Sequence, residues 1–165
     1  MRFFFLDASA LAKRYTPEVG TPLLNHLFTS VSLDRLYLFN VGMAEVLSLL
    51  VRKKNAGQVS AADCSQALVE FGAEIVSSRI LHKVVAGNAL VAAALPLIEV
   101  HWINATDAII LRLALNLATQ LRAAGHDLIL VASDQRLLRA AQAEGLGTFD
   151  PETQSQIVLD ALLGP

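Results

Sequence analysis

The chain of 165 residues has little cysteine, little charge and no long apolar run. Its single cysteine, Cys64, excludes an internal disulfide and cannot form a zinc cluster by itself, which favours a reducing compartment. The longest apolar run, at 89–98, contains Pro96 and is shorter than the roughly 18 residues of a membrane span. The apolar start at 3–6 is interrupted by Asp7 before it reaches the about 7–15 apolar residues of a secretory signal. We therefore expect a cytoplasmic protein without a membrane segment.

Charge is scarce, and neither sign dominates. Lys and Arg number 13, Asp and Glu number 15, and the net charge is -2, so no basic field covers the whole surface. Nucleic acid would have to bind through local patches or a metal ion. Charged residues make up 17% of the chain, against about 25% in typical domains. Because 54% of the residues are hydrophobic, we expect some apolar surface to contact a partner or a second copy of the chain.

The chain does contain an alternation of short apolar runs and longer helical patterns. Strands are predicted at 2–6, 36–39, 83–85, 128–131 and 146–149. Helices are predicted at 8–15, 17–31, 41–55, 60–78, 88–101, 104–124 and 134–143. This alternation implies crossover units, and hence a three-layer α/β/α fold with a central, mainly parallel sheet of four to five strands. No repeat or linker interrupts the pattern, so residues 1–165 are interpreted as one domain.

Several helix boundaries are predicted from single residues. Pro17 suits an early position of the second helix, and Asn40 can cap the third. Ser60 with Asp63 resembles a capping arrangement at the start of the fourth. Pro96 predicts a kink or a break in the helix at 88–101.

Two acids follow predicted strands directly. Asp7 ends the first strand, and Asp134 follows the strand at 128–131 after a two-residue turn. Because parallel strands of an open sheet end at one edge, where ligands bind, both acids are expected at the same place. Either of them could instead only cap the helix that follows it.

Two further acids stand in apolar helices, and both leave alternatives open. Glu45 shares a helical face with Ser48 and Arg52, so that face is either a carboxylate directed into a site or simply the solvated side. Asp107 stands three residues after Asn104, which is also a helix-start signature.

The four acids together predict more than each one alone. Carboxylates without histidine or cysteine partners are ligands that suit Mg²⁺ or Mn²⁺. Four carboxylates packed together without a cation would repel one another and lose solvation. A real cluster of these acids would therefore imply a metal ion.

These junctions resemble the PIN domain family, and in particular the VapC toxins of bacterial toxin–antitoxin pairs, over nearly the whole chain. The family's opening pattern of a strand, Asp, any residue, Ser or Thr, Ala and Leu is similar to residues 6–11. Its helix acid is matched at 43–46, its third acid at 107–108, and its Ser/Thr-Asp-x-x-Leu pattern at 133–137. The long interval between the third and fourth acids departs from the family.

The resemblance implies a PIN-like fold and a metal-dependent endoribonuclease whose cut leaves a 5′-phosphate. Mg²⁺ or Mn²⁺ would be held by Asp7, Glu45, Asp107 and Asp134, with Ser9 and Ser133 in support. The residues that could contact RNA phosphates are Lys13, Arg14, Arg136 and Arg139, although a solvated helix end is the more common role for residues so placed. The expected partners are an RNA substrate, a cognate antitoxin and a second copy in a homodimer, with no membrane.

Two other functions compete with this interpretation. An inactive PIN module would bind RNA or protein without hydrolysing it, and the presence of all four acids speaks against it. A phosphatase of the haloacid dehalogenase type also begins with a strand and an Asp, but it would need a second Asp where Ser9 stands.

Overall fold

A computed structural model describes residues 1–164, and its centre is a sheet of five parallel strands. The strands are β1 (Arg2–Leu6), β2 (Leu36–Phe39), β3 (His82–Val84), β4 (Asp127–Val131) and β5 (Gly147–Phe149). Their order is β3-β2-β1-β4-β5, and every neighbouring pair is parallel. β1 lies in the middle, where Phe4 pairs with Leu36 of β2 and with Ile129 of β4. The predicted parallel sheet is confirmed.

Helices cover both faces of this sheet. They are α1 (Ala8–Leu11), α2 (Thr21–Ser30), α3 (Asn40–Asn55), α4 (Ala61–Phe71), α5 (Asn88–His101), α6 (Ala105–Ala123), α7 (Gln135–Ala143) and α8 (Gln156–Leu163). Short 3-10 segments lie at Ala12–Arg14 and Leu33–Arg35, and a π-helical segment follows α4 at Gly72–Val76. The predicted three-layer, PIN-like α/β/α fold is confirmed.

The alternation of side chains along β1 builds two separate cores. Phe4 and Leu6 are fully buried on one face, among residues of α1 to α4 and α8. Phe5 is fully buried on the other face, among residues of α5, α6 and α7. Because successive side chains of a strand point to opposite faces, one uninterrupted apolar run supplies both cores.

Some predicted boundaries are wrong. α2 begins at Thr21, after Gly20 with a φ of 93°, so Pro22 rather than Pro17 takes the early helical position. Asn40 is already the first residue of α3; Phe39 is the cap, and no side chain caps this helix because it follows β2 directly. The prediction missed α8 altogether. This short helix follows the last strand and no further strand comes after it within residues 1–164, so the alternation of strands and helices does not indicate it.

The start of α4 agrees with prediction, whereas the break allowed for at Pro96 does not occur. The Ser60 hydroxyl accepts a hydrogen bond from the backbone N–H of Asp63 at 3.0 Å, which starts α4 as expected. α5 continues through Pro96 without a break. Pro96 and Ala92, the residue whose carbonyl loses its helical partner, both lie on the exposed side of the helix.

The helices within residues 1–164 include no single one that is long and apolar enough to cross a membrane. The pair α5 and α6 meets the length and composition requirement only when the two are joined, and it is bent by 113° between them.

Candidate active site

A cleft of about 390 Å³ collects all four acids predicted from the sequence. Asp7 follows β1, Glu45 lies in α3, Asp107 lies in the first turn of α6, and Asp134 is the N-terminal cap of α7. The rest of the lining is Ala8, Ser9, Ser48, Leu49 and Arg52. The cleft therefore lies at the carboxyl edge of the sheet, where β1 and β4 end.

Asp7 is buried and firmly oriented. Its backbone N–H donates to the carbonyl of Val131 at 2.9 Å, which ties it to the end of β4. Its Oδ2 accepts hydrogen bonds from the N–H and the hydroxyl of Ser9, at 2.9 and 2.5 Å. Burial raises the pKa of Asp7 above its ordinary value, against the lowering effect of the Ser9 hydrogen bonds, and the charge of Asp134 raises it further.

Ser9 also joins the two strand ends. Its Oγ accepts a hydrogen bond from the N–H of Ser133 at 2.9 Å while it donates to Asp7. The hydroxyl of Ser133 is buried and has no hydrogen-bond partner among residues 1–164. Of the two serines, Ser9 is thus the one that positions a site carboxylate.

Asp107 is held by Asn104 in a reciprocal pair of hydrogen bonds. Asn104 Nδ2 donates to Asp107 Oδ2 at 2.8 Å, and the Asp107 N–H donates to Asn104 Oδ1 at 2.9 Å. Burial raises the pKa of Asp107 to about 7, with further increases from the charges of Asp134 and Asp7. The helix-start interpretation is confirmed and does not exclude a role in the cleft, because the residues that start α6 also orient its acid.

Asp134 caps α7 and repels its neighbours. Its Oδ1 accepts from the N–H groups of Arg136 at 2.8 Å and Leu137 at 3.2 Å. The Arg136 guanidinium lies 3.8 Å from the other carboxylate oxygen, Oδ2. The same guanidinium lowers the pKa of Asp107 and so opposes the effect of the surrounding acids.

Glu45 is half-buried, and its pKa is raised by burial and by the charge of Asp7. Ser48 and Arg52, which share its helical face, also line the cleft. The face of α3 that carries Glu45, which the sequence predicted to be either directed into a site or solvated, therefore lines the cleft. Arg52 brings a cation to the cleft.

The ligand atoms that the cleft offers fit a hard divalent cation, whereas the acids lie too far apart to surround one ion. Every acid in the cleft offers carboxylate oxygen, and no nitrogen or sulfur ligand lies among the lining residues. Across residues 1–164, no three His, Cys, Asp or Glu side chains are grouped closely enough to hold one ion. Burial and, after it, the charges of neighbouring acids raise the pKa of Asp7, Glu45 and Asp107, and only at Asp107 does the Arg136 guanidinium oppose this.

Two of the basic residues predicted to contact RNA have protein partners. Lys13 is only 4% exposed and pairs with Glu152 and, at 3.5 Å, with Glu18. Arg14 Nε and Nη2 each donate to the carboxylate of Glu74 at 2.6 Å. Neither is the solvated helix end that the sequence allowed.

Arg136 and Arg139 are exposed on α7. Arg136 lies beside Asp134, at the edge of the cleft. These two arginines, together with Arg52, are the candidates for contacts with RNA phosphates.

A larger cavity, of about 760 Å³, lies between α2 and the π-helical segment. Its main charged group, the Glu74 carboxylate, is bonded to Arg14 and, at 2.7 Å, to the Tyr15 hydroxyl. Because these polar groups satisfy one another, the acidic cleft is the better candidate for chemistry despite its smaller size.

No protein-family model matches the chain, and no curated protein sequence is significantly similar to it.

Several solved structures share its architecture. FitAcB from Neisseria gonorrhoeae aligns with a TM-score of 0.60 and 17% identity over 92% of this chain and 100% of its own. PAE2754 from Pyrobaculum aerophilum aligns with a TM-score of 0.58 and 19% identity over 97% of this chain and 94% of its own. FitAB bound to an IR36 DNA fragment aligns with a TM-score of 0.63 and 15% identity over 93% of this chain and 99% of its own. The chain therefore has the PIN-like α/β/α fold of these structures.

Proposed function

We propose that this chain is a metal-dependent endoribonuclease and the toxin of a toxin–antitoxin pair, with Asp7, Glu45, Asp107 and Asp134 as its catalytic residues. The observation that carries the proposal is the convergence of four acids, from four separate elements, on one cleft. Burial and, after it, the charges of the neighbouring acids raise the pKa of Asp7, Glu45 and Asp107. Such a concentration of like charge is unfavourable for stability, and functional sites are where proteins retain it.

In three of the four carboxylates, one oxygen accepts hydrogen bonds and the other does not. Asp7 and Asp107 each use Oδ2 for positioning, by Ser9 and Asn104, and Asp134 uses Oδ1 to cap α7. The second oxygen of each accepts no hydrogen bond from residues 1–164. These second oxygens, with those of Glu45, would hold Mg²⁺ or Mn²⁺.

When bound, such an ion supplies the Lewis acidity that phosphodiester hydrolysis requires. The chain's own residues supply the rest of the site. Ser9 and Asn104 keep two acids in place, and Arg52 and Arg136 lie where they can contact phosphate oxygens of the strand. Contacts of this kind position RNA without reading its sequence, so they fit a nuclease whose specificity arises elsewhere.

The toxin assignment has two supports. The motifs of the four acids resemble those of VapC toxins. The fold is that of FitAcB and FitAB, and the FitAB structure is bound to a DNA fragment. Exposed apolar side chains, including Val85, Leu95 and Val100, provide surface for an antitoxin or for a second copy in a homodimer.

The test is RNA cleavage by the purified protein with Mg²⁺, with Mn²⁺ and with a chelator. We expect hydrolysis only with metal, and products with a 5′-phosphate. Asp107→Asn should lower the rate by on the order of 100-fold or more, because it removes a charged carboxylate that would hold the metal ion. Glu99→Gln is the matched control, since Glu99 is an exposed acid of α5 outside the cleft, and it should keep full activity.

Full cleavage by Asp7→Asn or Asp107→Asn protein would contradict the proposal. RNA binding without any metal-dependent hydrolysis would instead identify an inactive PIN module.

A further inference from the structure

Trp102 is the only tryptophan of the chain, and it lies almost entirely in solvent. It is 86% exposed, more than any other large hydrophobic residue among those described. It ends α5 with a φ of 53° and a ψ of 39°, in the left-handed region. Among residues 1–164 it is the only residue other than glycine with a positive φ.

Neither the exposure of Trp102 nor its left-handed backbone stabilises the fold. The left-handed conformation is sterically unfavourable for a residue with a Cβ, and glycine or asparagine usually takes it at the end of a helix. An exposed indole also buries little surface in the folded chain. Strained backbone that persists at one position is often part of a functional site.

Trp102 stands two residues before Asn104, which orients an acid of the cleft. Ile103, the next residue, is buried and anchors the turn. Asn104 follows it and donates its amide to the carboxylate of Asp107 at 2.8 Å. Two residues of extended chain span about 7 Å at most, so the backbone of Trp102 lies within that distance of the backbone of Asn104.

Trp102 does not belong to the row of exposed residues along α5. The exposed residues Ala89, Ala93, Pro96 and Val100 recur at helical spacing along one side of this helix. The backbone leaves the helix at Trp102, so this residue does not extend their row. Two residues further along the chain is instead Asn104, which orients Asp107.

We propose that Trp102 is a stacking platform for an RNA base next to the phosphate that is cleaved. The inference rests on the proposed nuclease function and adds a substrate-binding residue to it. A base of single-stranded RNA stacks on the indole face, while Arg52 and Arg136 contact phosphates of the same strand. Stacking tolerates every base, so Trp102 contributes affinity and placement rather than sequence recognition.

Because the chain has one tryptophan, its fluorescence reports on Trp102 alone. The experiment titrates the protein with a short single-stranded oligoribonucleotide, once as wild type in a chelating buffer and once as Asp107→Asn with Mg²⁺, so that cleavage is prevented or slow in both. We expect the fluorescence to be quenched, and the quench to be smaller with an oligonucleotide of the same length whose sugars lack bases. Trp102→Ala should weaken binding, followed by a label on the RNA, by about 5- to 150-fold.

Two variants serve as controls. Trp102→Phe keeps an aromatic face and should retain most of the affinity. Val100→Ala removes another exposed apolar side chain of α5 and should bind like the wild type. With metal present, Trp102→Ala should show a raised KM and a kcat close to that of the wild type, because the acids are untouched.

Three outcomes would overturn the inference. The first is RNA binding that leaves the fluorescence unchanged and is equally tight in Trp102→Ala. The second is a Trp102→Ala protein that sediments as a smaller species than the wild type, since Trp102 would then belong to an interface between copies. The third is a wild-type protein that neither binds nor cleaves RNA, in which case the proposed function fails as well.

Discussion

At the scale of single residues, the acids of the cleft show that starting a helix and forming a site are compatible roles. Asp134 caps α7 with one oxygen, and Asp107 is bonded to the cap of α6. Each keeps its other oxygen for the cleft. A helix-start signature beside a strand end is therefore no argument against a functional acid.

Ser9 offers a direct test of how the acids are held. Ser9→Ala removes the hydroxyl that donates to Asp7 and accepts from the N–H of Ser133. We expect metal affinity or cleavage to fall by about 10- to 100-fold, as for other residues that orient metal ligands. Ser48→Ala is the control, because Ser48 lines the same cleft but is exposed. Equal losses in the two variants, measured by metal titration and RNA cleavage, would contradict this role of Ser9.

Asn104 has two functions that different substitutions separate. Asn104→Ser keeps a capping hydroxyl but removes the amide that donates to Asp107. Unfolding by urea should show a loss of only a few tenths of a kcal/mol, while RNA cleavage should fall clearly. Asn104→Ala loses the cap as well and should cost about 1 kcal/mol of stability. If Asn104→Ser cleaves RNA like the wild type, the amide does not position Asp107.

At the scale of elements, Gly20 joins the start of α2 to the turn after β5. It has a φ of 93°, and a Cβ at this position would lie 2.8 Å from the carbonyl oxygen of Pro151. Gly20→Ala should therefore lower the free energy of unfolding by about 2–4 kcal/mol, through backbone strain and the clash together.

The matched control is Gly57→Ala. Gly57 also has a positive φ, of 70°, but a Cβ there would have no neighbour within 4 Å. Its cost should be only about 1–2 kcal/mol, the cost of the left-handed conformation alone. Urea unfolding of both variants measures the difference, and equal losses would mean that the contact with Pro151 contributes nothing.

At the scale of the whole molecule, the cleft makes stability depend on pH. The pKa of Asp107 is about 7 in the folded chain, above its ordinary value of 3.8, so the folded state binds the proton more tightly than the unfolded state. Its contribution to stability is present at low pH and is lost as pH rises towards 7. Without divalent cations, the free energy of unfolding should fall by roughly 1–3 kcal/mol between pH 5 and pH 8.

The side chain that replaces Asp107 in Asp107→Asn does not titrate, so the free energy of unfolding of this variant should fall less between pH 5 and pH 8. Urea unfolding at several pH values, in a chelating buffer, measures both proteins. Adding Mg²⁺ or Mn²⁺ should stabilise the wild type near pH 8, because a ligand that binds only the folded state shifts the equilibrium towards it. An identical pH dependence in the two proteins would show that Asp107 ionises normally.

The strands and most helices follow from local patterns in the sequence. The run Phe3 to Leu6, the apolar run of β4 and the periodic apolar positions of α6 were enough to predict them. The four acids were also predictable, because each stands at a strand end or in the first turns of a helix. α8 and the true start of α2 were not, since they depend on packing against distant parts of the chain, as the contact between Gly20 and Pro151 shows.

The sequence alone determined the alternation of strands and helices, the parallel sheet and the identity of the acids, because these depend on periodicity and on junctions a few residues long. Only the tertiary structure decided which neighbours those acids have. It placed Arg52 in the cleft, paired Lys13 and Arg14 with distant glutamates, and left Trp102 in solvent. Charge pairing and burial are set by residues far apart in the chain, and local patterns carry no information about them.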